Sequence, residues 1–257
     1  MKAGNPRFIE GTRNDVERFH SLGWYHSIEL PSGEVIPGLQ TIDQLRFRLR
    51  QFAIPEDLSG KRVLDIGAWD GWFSFELEKR GASVLAVDAV ENEKFLVARQ
   101  LLNSRVEYLV ADVYDLRPSE LGKFDVVLFL GVLYHLKHPL LGLERVCAMS
   151  KDLACIESYV IDEGEQATPR MEFYEGIELC GQFDNWVGPN AACLTSMCRT
   201  AGFVRVTLNS VVDHRAHVTC FRQWEVEEPA GMAPFLESLE NAVSRNLVLN
   251  CNTTFLY

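Results

Sequence analysis

The chain has 257 residues, 47% hydrophobic and 24% charged, a globular balance that excludes a largely disordered polymer. No run of eighteen apolar residues occurs, so no membrane span is expected, and the opening MKAGNPRFIEGTRNDVERFH lacks the basic-then-apolar order of a signal peptide. Thirty-six acids against twenty-five bases leave a net charge of −11, which disfavours nucleic acid as a partner without excluding it.

Residues 1–58 read as an N-terminal extension covering substrate and cofactor. Gly23-Trp24-Tyr25-His26 leads into a strand-like SIEL, a turn at Pro31-Ser32-Gly33 and a second at Pro37-Gly38. In TIDQLRFRLRQF, Thr41 with Gln44 forms a capping-box pattern, and Ile42, Leu45, Leu49 and Phe52 share one helical face. Arg46, Arg48 and Arg50 are the densest basic cluster and are expected to form a solvated helix face.

Residues 59–224 alternate strands with helices. RVLDIG, SVLAVD, VEYLVAD, FDVVLFLGVLY and LACIESYVI read as five strands. WFSFELEKR, KFLVARQLL and LLGLERVCAM read as helices, with Pro139 suited to the first turn of the last. LTSMCRTA is a further helix, stopped by Gly202, and FVRVTLNSVV and HRAHVTCFR are two closing strands. Such alternation predicts an α/β fold: a Rossmann-like, doubly wound, seven-stranded and mostly parallel sheet with right-handed crossovers. Residues 162–190 interrupt it with a long segment expected to wall the substrate site. Residues 225–257 are an acidic tail with one helix near PFLESLENAVSR.

Seven cysteines, at 147, 155, 180, 193, 198, 220 and 251, include no C-x-x-C pair. Reduced, mostly buried thiols in a cytoplasmic protein are expected, and no metal site.

The most informative segment is the first strand-to-helix turn, VLDIGAWDGW. Ligands of open α/β sheets bind at the C-terminal strand ends, where Gly67 and Gly71 permit close backbone approach. Asp65 at that strand end is placed to accept from a ligand ammonium group. Asp88 ends the next strand, placed for ribose hydroxyls, and Asp112 ends the third, within reach of an adenine amino group. Three acids at successive strand ends suit a cationic nucleoside without phosphate, namely S-adenosylmethionine. A nicotinamide dinucleotide calls for G-x-G-x-x-G, whereas this turn reads G-A-W-D-G-W.

His135, at the fourth strand's end, is a candidate general base or a histidine bonded to neighbouring backbone. Tyr134 is a candidate acceptor-orienting group or a pocket wall, and His26 a second candidate base. Tyr25, with Asn185 and Trp186 of FDNWVGPN, is a candidate substrate contact, beside acids such as Glu172 and Glu175. Glu157 on the fifth strand either faces the pocket or pairs with a buried base.

Lys61 to Met149 resembles the class I S-adenosylmethionine-dependent methyltransferases. GVLYHLKHPLLGLERV, AGFVRV and HRAHVTCFR are similar to the branch containing the tRNA wobble-uridine carboxymethyltransferases. The resemblance implies that Asp65, Gly67 and Gly71 line the methionine moiety, Asp88 the ribose, and Asp112 with Val113 the adenine, with Leu130 beside the cofactor; Ala68, Trp69 and Ala89 are further candidate cofactor contacts. It places Tyr134 and Arg215 facing the transferred group. Two departures stand out. The turn's middle glycine is Trp69 here, which either borders the ligand or blocks it, the latter making a non-catalytic binding module. The branch's Arg-Lys-Gly-Pro-Phe segment, whose lysine pairs with a carboxylated donor, is replaced by GWYHSIEL. The expected activity is therefore ordinary methyl transfer to a polar small molecule, with a tRNA base as the alternative acceptor.

Overall fold

The computed structural model describes residues 22–161 and 168–223. The tail helix expected near PFLESLENAVSR and Cys251 lie outside them.

The extension opens with β1 (Trp24–His26), β2 (Ile28–Glu29), β3 (Val35–Ile36) and β4 (Gly38–Gln40). β1 pairs parallel with β4, and β2 antiparallel with β3 around the Pro31-Ser32-Gly33 turn. Helix α1 (Ile42–Leu49) begins at the expected capping box. Thr41 Oγ1 accepts from the Gln44 N–H, and the Gln44 side chain accepts from the Thr41 N–H. Thr41→Ala should cost about 1 kcal/mol of stability in a urea titration, because the Gln44 N–H loses its side-chain acceptor and is left to water.

The core then runs β5 (Arg62–Ile66), α2 (Trp72–Lys79), β6 (Ser83–Asp88), α3 (Glu93–Leu101) and β7 (Glu107–Val110). A short helix α4 (Pro118–Leu121), not anticipated from the sequence, precedes β8 (Phe124–Leu130), α5 (Pro139–Met149) and β9 (Ser150–Tyr159). The insertion contributes the hairpin β10 (Met171–Phe173) and β11 (Val187–Pro189). Helix α6 (Ala191–Thr200), β12 (Arg205–Val212) and β13 (Arg215–Phe221) complete the described chain.

Seven strands form one sheet in the order β12-β13-β9-β8-β5-β6-β7. β5 to β9 are mutually parallel, and β13 runs antiparallel to both its neighbours. Both faces are covered at the centre, so residues of β5, β8 and β9 are buried without alternation, whereas the edge strands β7 and β12 are not. Val63 joins one core, with Trp24, Ile28, Leu45 and Phe73; Leu64 and Ile66 join the other, with Leu143, Val146 and Leu194. The extension thus shares a core with the sheet and α2. The chain leaves β5 toward β6 and β7, then crosses back to β8 and β9. That reversal opens a crevice beyond the C-terminal ends of β5 and β8.

Several boundaries shift by two or three residues, and one of them bears on the site. β7 stops at Val110, and Asp112 lies two residues beyond it. Its side chain accepts from the Tyr114 N–H at 2.9 Å and caps a 3-10 turn, Val113–Asp115, which ends the strand early.

Candidate active site

The crevice holds a cavity of about 820 Å³, which reaches from the β5–β7 strand ends to the extension and the insertion. At one end lie Asp65, Asp88 and Asp112. Asp65 is almost fully buried and accepts from Ser74 Oγ at 2.6 Å. Burial pushes its carboxyl up to about 6, Ser74 pulls it back, and the Asp88 charge adds to the rise. Asp88 accepts from the Trp69 N–H at 2.8 Å and from its neighbour, the Ala89 N–H, at 2.9 Å. Burial raises its pKa, against the pull of these two bonds. Two of its roughly four lone-pair sites stay available for ligand hydroxyls.

The turn after β5 is closely packed. Gly67 has φ +76°, and an added Cβ would strike the Val132 Cγ2 methyl. Trp69 holds φ +54°, a left-handed conformation that glycine adopts more easily, and its side chain is 45% exposed at the cavity wall. The indole borders the cavity. Four amides of this turn are already engaged: Gly67 and Ala68 donate to Val87 O, Trp69 to Asp88 and Gly71 to Ala68 O. In a dinucleotide fold such amides hold the pyrophosphate. With those four amides committed and the Asp65, Asp88 and Asp112 carboxylates lining the cavity, the site suits a cationic nucleoside better than a pyrophosphate.

Away from those carboxylates the same cavity is lined by Tyr25 and His26 of β1 and by Tyr134, His135, Trp186 and Arg215. Tyr134 Oη accepts from Arg215 Nη1 at 2.9 Å, and Arg215 also reaches Glu157 Oε1 at 3.2 Å. Arg48 Nη2 donates to Glu157 Oε2 at 2.7 Å, its Nη1 to Gln40, and Gln40 donates to Tyr25 Oη. Arg46 and Arg50 are exposed, as a solvated helix face would be. Arg48 departs from that expectation: Glu157, buried on β9, draws it inward over the Phe73 ring. Burial alone would raise the Glu157 pKa, but Arg48 and Arg215, with His217, outweigh it and hold the carboxyl below its ordinary range.

His135 donates from Nδ1 to the Asp184 carbonyl at 3.0 Å. The Trp186 N–H donates to the Tyr134 carbonyl at 2.7 Å, so the insertion is tied to the 3-10 turn Leu133–His135. Lys137 Nζ sits 4.1 Å from the centre of the Trp186 ring.

Gly67, Ala89, Val113 and Leu130 also line the cavity, whereas Ala68, Gly71 and Asn185 do not. Ala68 is buried in the core, Gly71 backs onto Phe75 and Phe95, and Asn185 donates to Leu179 O and Gln182 Oε1 within the insertion. Glu172 and Glu175 lie off the cavity; Gln182 and Asp184 face it instead. The sequence reading passed over Asp70, although it stands in the same turn. This fully buried carboxylate accepts from the Tyr25 and His26 N–H groups at 2.9 and 3.0 Å and pairs with His26 Nδ1.

Residues 40–208 match a family described as a methyltransferase domain. The chain belongs to that family. By fold and relatives it is a class I S-adenosylmethionine-dependent methyltransferase domain. Over 172 residues it is 31% identical to the tRNA U34 carboxymethyltransferase of Pseudomonas paraeruginosa (strain DSM 24068 / PA7), which spans 62% of this chain and 52% of the relative. Over 138 residues it is 33% identical to the ubiquinone biosynthesis O-methyltransferase of Bordetella parapertussis (strain 12822 / ATCC BAA-587 / NCTC 13253), 52% of this chain and 54% of the other. The domain thus spans about half the length of these curated relatives. Among solved structures, the N-terminal domain of EvdMO1 with SAH bound shares the fold, with a TM-score of 0.61 and 20% identity over 83% of this chain and 98% of that one. Among the described residues no helix is long and apolar enough to cross a membrane.

Proposed function

We propose that this methyltransferase domain transfers a methyl group from S-adenosylmethionine to a polar small molecule held between Tyr25, Tyr134, Trp186 and Arg215. The observation carrying this reading is the cavity itself: three carboxylates at one end, and a mixed aromatic and charged chamber at the other. When bound, the donor supplies an already activated sulfonium methyl, so the chain's task is mainly to align donor and acceptor. Asp65 would hold the donor's ammonium group, Asp88 the ribose hydroxyls, and Asp112 with Val113 the adenine. Tyr134, fixed by Arg215, orients the acceptor.

Calorimetry with S-adenosylhomocysteine tests the donor half: saturable binding is expected, and no heat at millimolar ligand overturns it. The pH dependence sharpens this test. Free Asp65 ionises near pH 6, and a ligand ammonium favours the ionised form, so affinity is full above pH 6 and falls as the pH drops through it. Asp65→Asn should bind about tenfold or more weakly at pH 7.5 and lose that slope.

The carboxymethyltransferase relatives favour a second reading, a tRNA base as acceptor. The net charge of −11 argues against it. Fluorescence anisotropy with tRNA at two salt concentrations separates the two: tight, steeply salt-dependent binding would replace the small-molecule acceptor with tRNA.

A further inference from the structure

Asp70 and His26 come from distant parts of the chain and meet in a buried pair beside the cavity. Asp70 belongs to the turn after β5, the element that faces the donor, and His26 ends β1 of the extension. One oxygen, Oδ2, takes the backbone N–H groups of Tyr25 and His26; the other, Oδ1, meets His26 Nδ1. The ring stands edge-on to Phe73, with centroids 5.5 Å apart, and lines the cavity with Arg48 and Tyr25. Lys94 Nζ donates to Gly23 O at 2.7 Å and secures the start of the strand.

We infer that His26, oriented by Asp70, is the general base of the domain and that its acceptor is a hydroxyl group; this rests on the methyl-transfer reading above. A carboxylate at Nδ1 can only accept, so it keeps the proton on Nδ1 and leaves the Nε2 lone pair for the cavity. It also stabilises the imidazolium that forms when Nε2 takes a proton. His135 is held less firmly: its Nδ1 donates to the uncharged carbonyl of Asp184 at 3.0 Å, the Asp184 carboxylate stands 3.6 Å away and is itself largely exposed, and the ring is a third exposed. In the step itself, an acceptor oxygen lone pair forms the O–CH₃ bond and the S–CH₃ electron pair remains on sulfur. The O–H proton moves to Nε2, and water removes it after product leaves. A thiol ionises readily without such help, and a neutral amine attacks before it loses a proton. An aliphatic hydroxyl gains most from a base fixed this way. Asp70 is a positioning residue, and it joins the donor-facing turn to the acceptor-side base.

The test is Asp70→Asn. Two backbone N–H groups hold the Oδ2 position, so the asparagine oxygen must sit there, and its NH₂ must face His26 Nδ1. An NH₂ donates, which forces the proton onto Nε2 and removes the base from the cavity. Long-range ¹H–¹⁵N spectra of protein labelled with ¹⁵N-histidine read this without any acceptor. The expected result is an Nδ1–H tautomer for His26 in the wild type and an Nε2–H tautomer in the variant. A wild-type Nε2–H tautomer, or no change in the variant, overturns the assignment. Radiolabelled methyl transfer from S-adenosylmethionine to panels of sugars, phenols and hydroxy acids, against amines and thiols, supplies the second arm. Products on hydroxyls are expected. His26→Gln and Asp70→Asn should lower kcat about 100-fold or more, with S-adenosylhomocysteine affinity within about threefold of wild type. Products confined to amines or thiols, or a His26→Gln kcat within about threefold of wild type, overturn the proposal. Failure of the wild type to bind S-adenosylhomocysteine overturns the methyl-transfer reading instead, whatever the tautomer.

Discussion

Gly67→Ala should abolish most donor-site binding, weakening S-adenosylhomocysteine about 100-fold or more in calorimetry, and should cost about 2–4 kcal/mol of stability. Two effects add. The left-handed backbone at φ +76° is strained for any side chain, and the new Cβ collides with the Val132 Cγ2 methyl. Val132 packs against the sheet core beside the cavity, so relief requires moving either that side chain or the turn. Moving the turn displaces Trp69 and its bond to Asp88, which disturbs two faces of the donor end at once. Gly60 is the control: it has φ +72° with nothing within 4 Å of an added Cβ. Gly60→Ala should lose only the backbone strain, about 1 kcal/mol, and leave binding unchanged. Equal binding losses in the two variants would refute the close-approach account.

Glu157→Gln is expected to destabilise the fold by about 3–5 kcal/mol, read from urea unfolding at pH 7. The buried carboxylate is the shared partner of Arg48 from α1 and Arg215 from β13. Taking its charge away leaves two guanidiniums facing a neutral amide in a site that water reaches poorly. The effect has a pH signature. Because the folded pKa lies below the ordinary 4.5, the carboxylate's contribution is complete above that value and is lost as the pH falls through the folded pKa. The stability gap between wild type and variant should therefore stay constant from pH 7 to about pH 5.5 and narrow below pH 4.5. A gap that does not narrow there would assign the loss to packing and not to charge. Tyr134 should also feel the change, since Arg215 holds its hydroxyl.

Much of the scaffold was readable because its signals are local. The capping box at Thr41 and Gln44, Pro139 opening α5, and the runs RVLDIG and SVLAVD each specify backbone geometry within a few residues. The positions of Asp65 and Asp88 were legible for the same reason, since the final residues of a parallel strand must lie at the sheet's C-terminal edge. Asp112 was nearly so. Its own capping bond stopped the strand two residues early, a competition between side chain and ladder that a hydrophobic pattern does not record.

The acceptor half was far less legible. Arg46, Arg48 and Arg50 look alike on a helix, yet only Arg48 is turned toward Glu157, 109 residues away. Asn185 and Trp186 are adjacent in an apparently open segment, but one is spent inside the insertion and the other walls the cavity. Asp70 carries no local sign of its role, because its partners lie 44 and 45 positions earlier.

By itself, then, the sequence determined the alternating α/β order, the strand ends that carry acids and the family they resemble. The length and the surplus of acids set limits, and three of those acids line one end of a single cavity. Tertiary structure alone decided which histidine pairs with a buried carboxylate, which arginine turns inward and what closes the acceptor side. The reason is physical. Strand and helix patterns repeat over a few residues and are written along the chain, whereas a buried ion pair exists only where two separately folded surfaces meet.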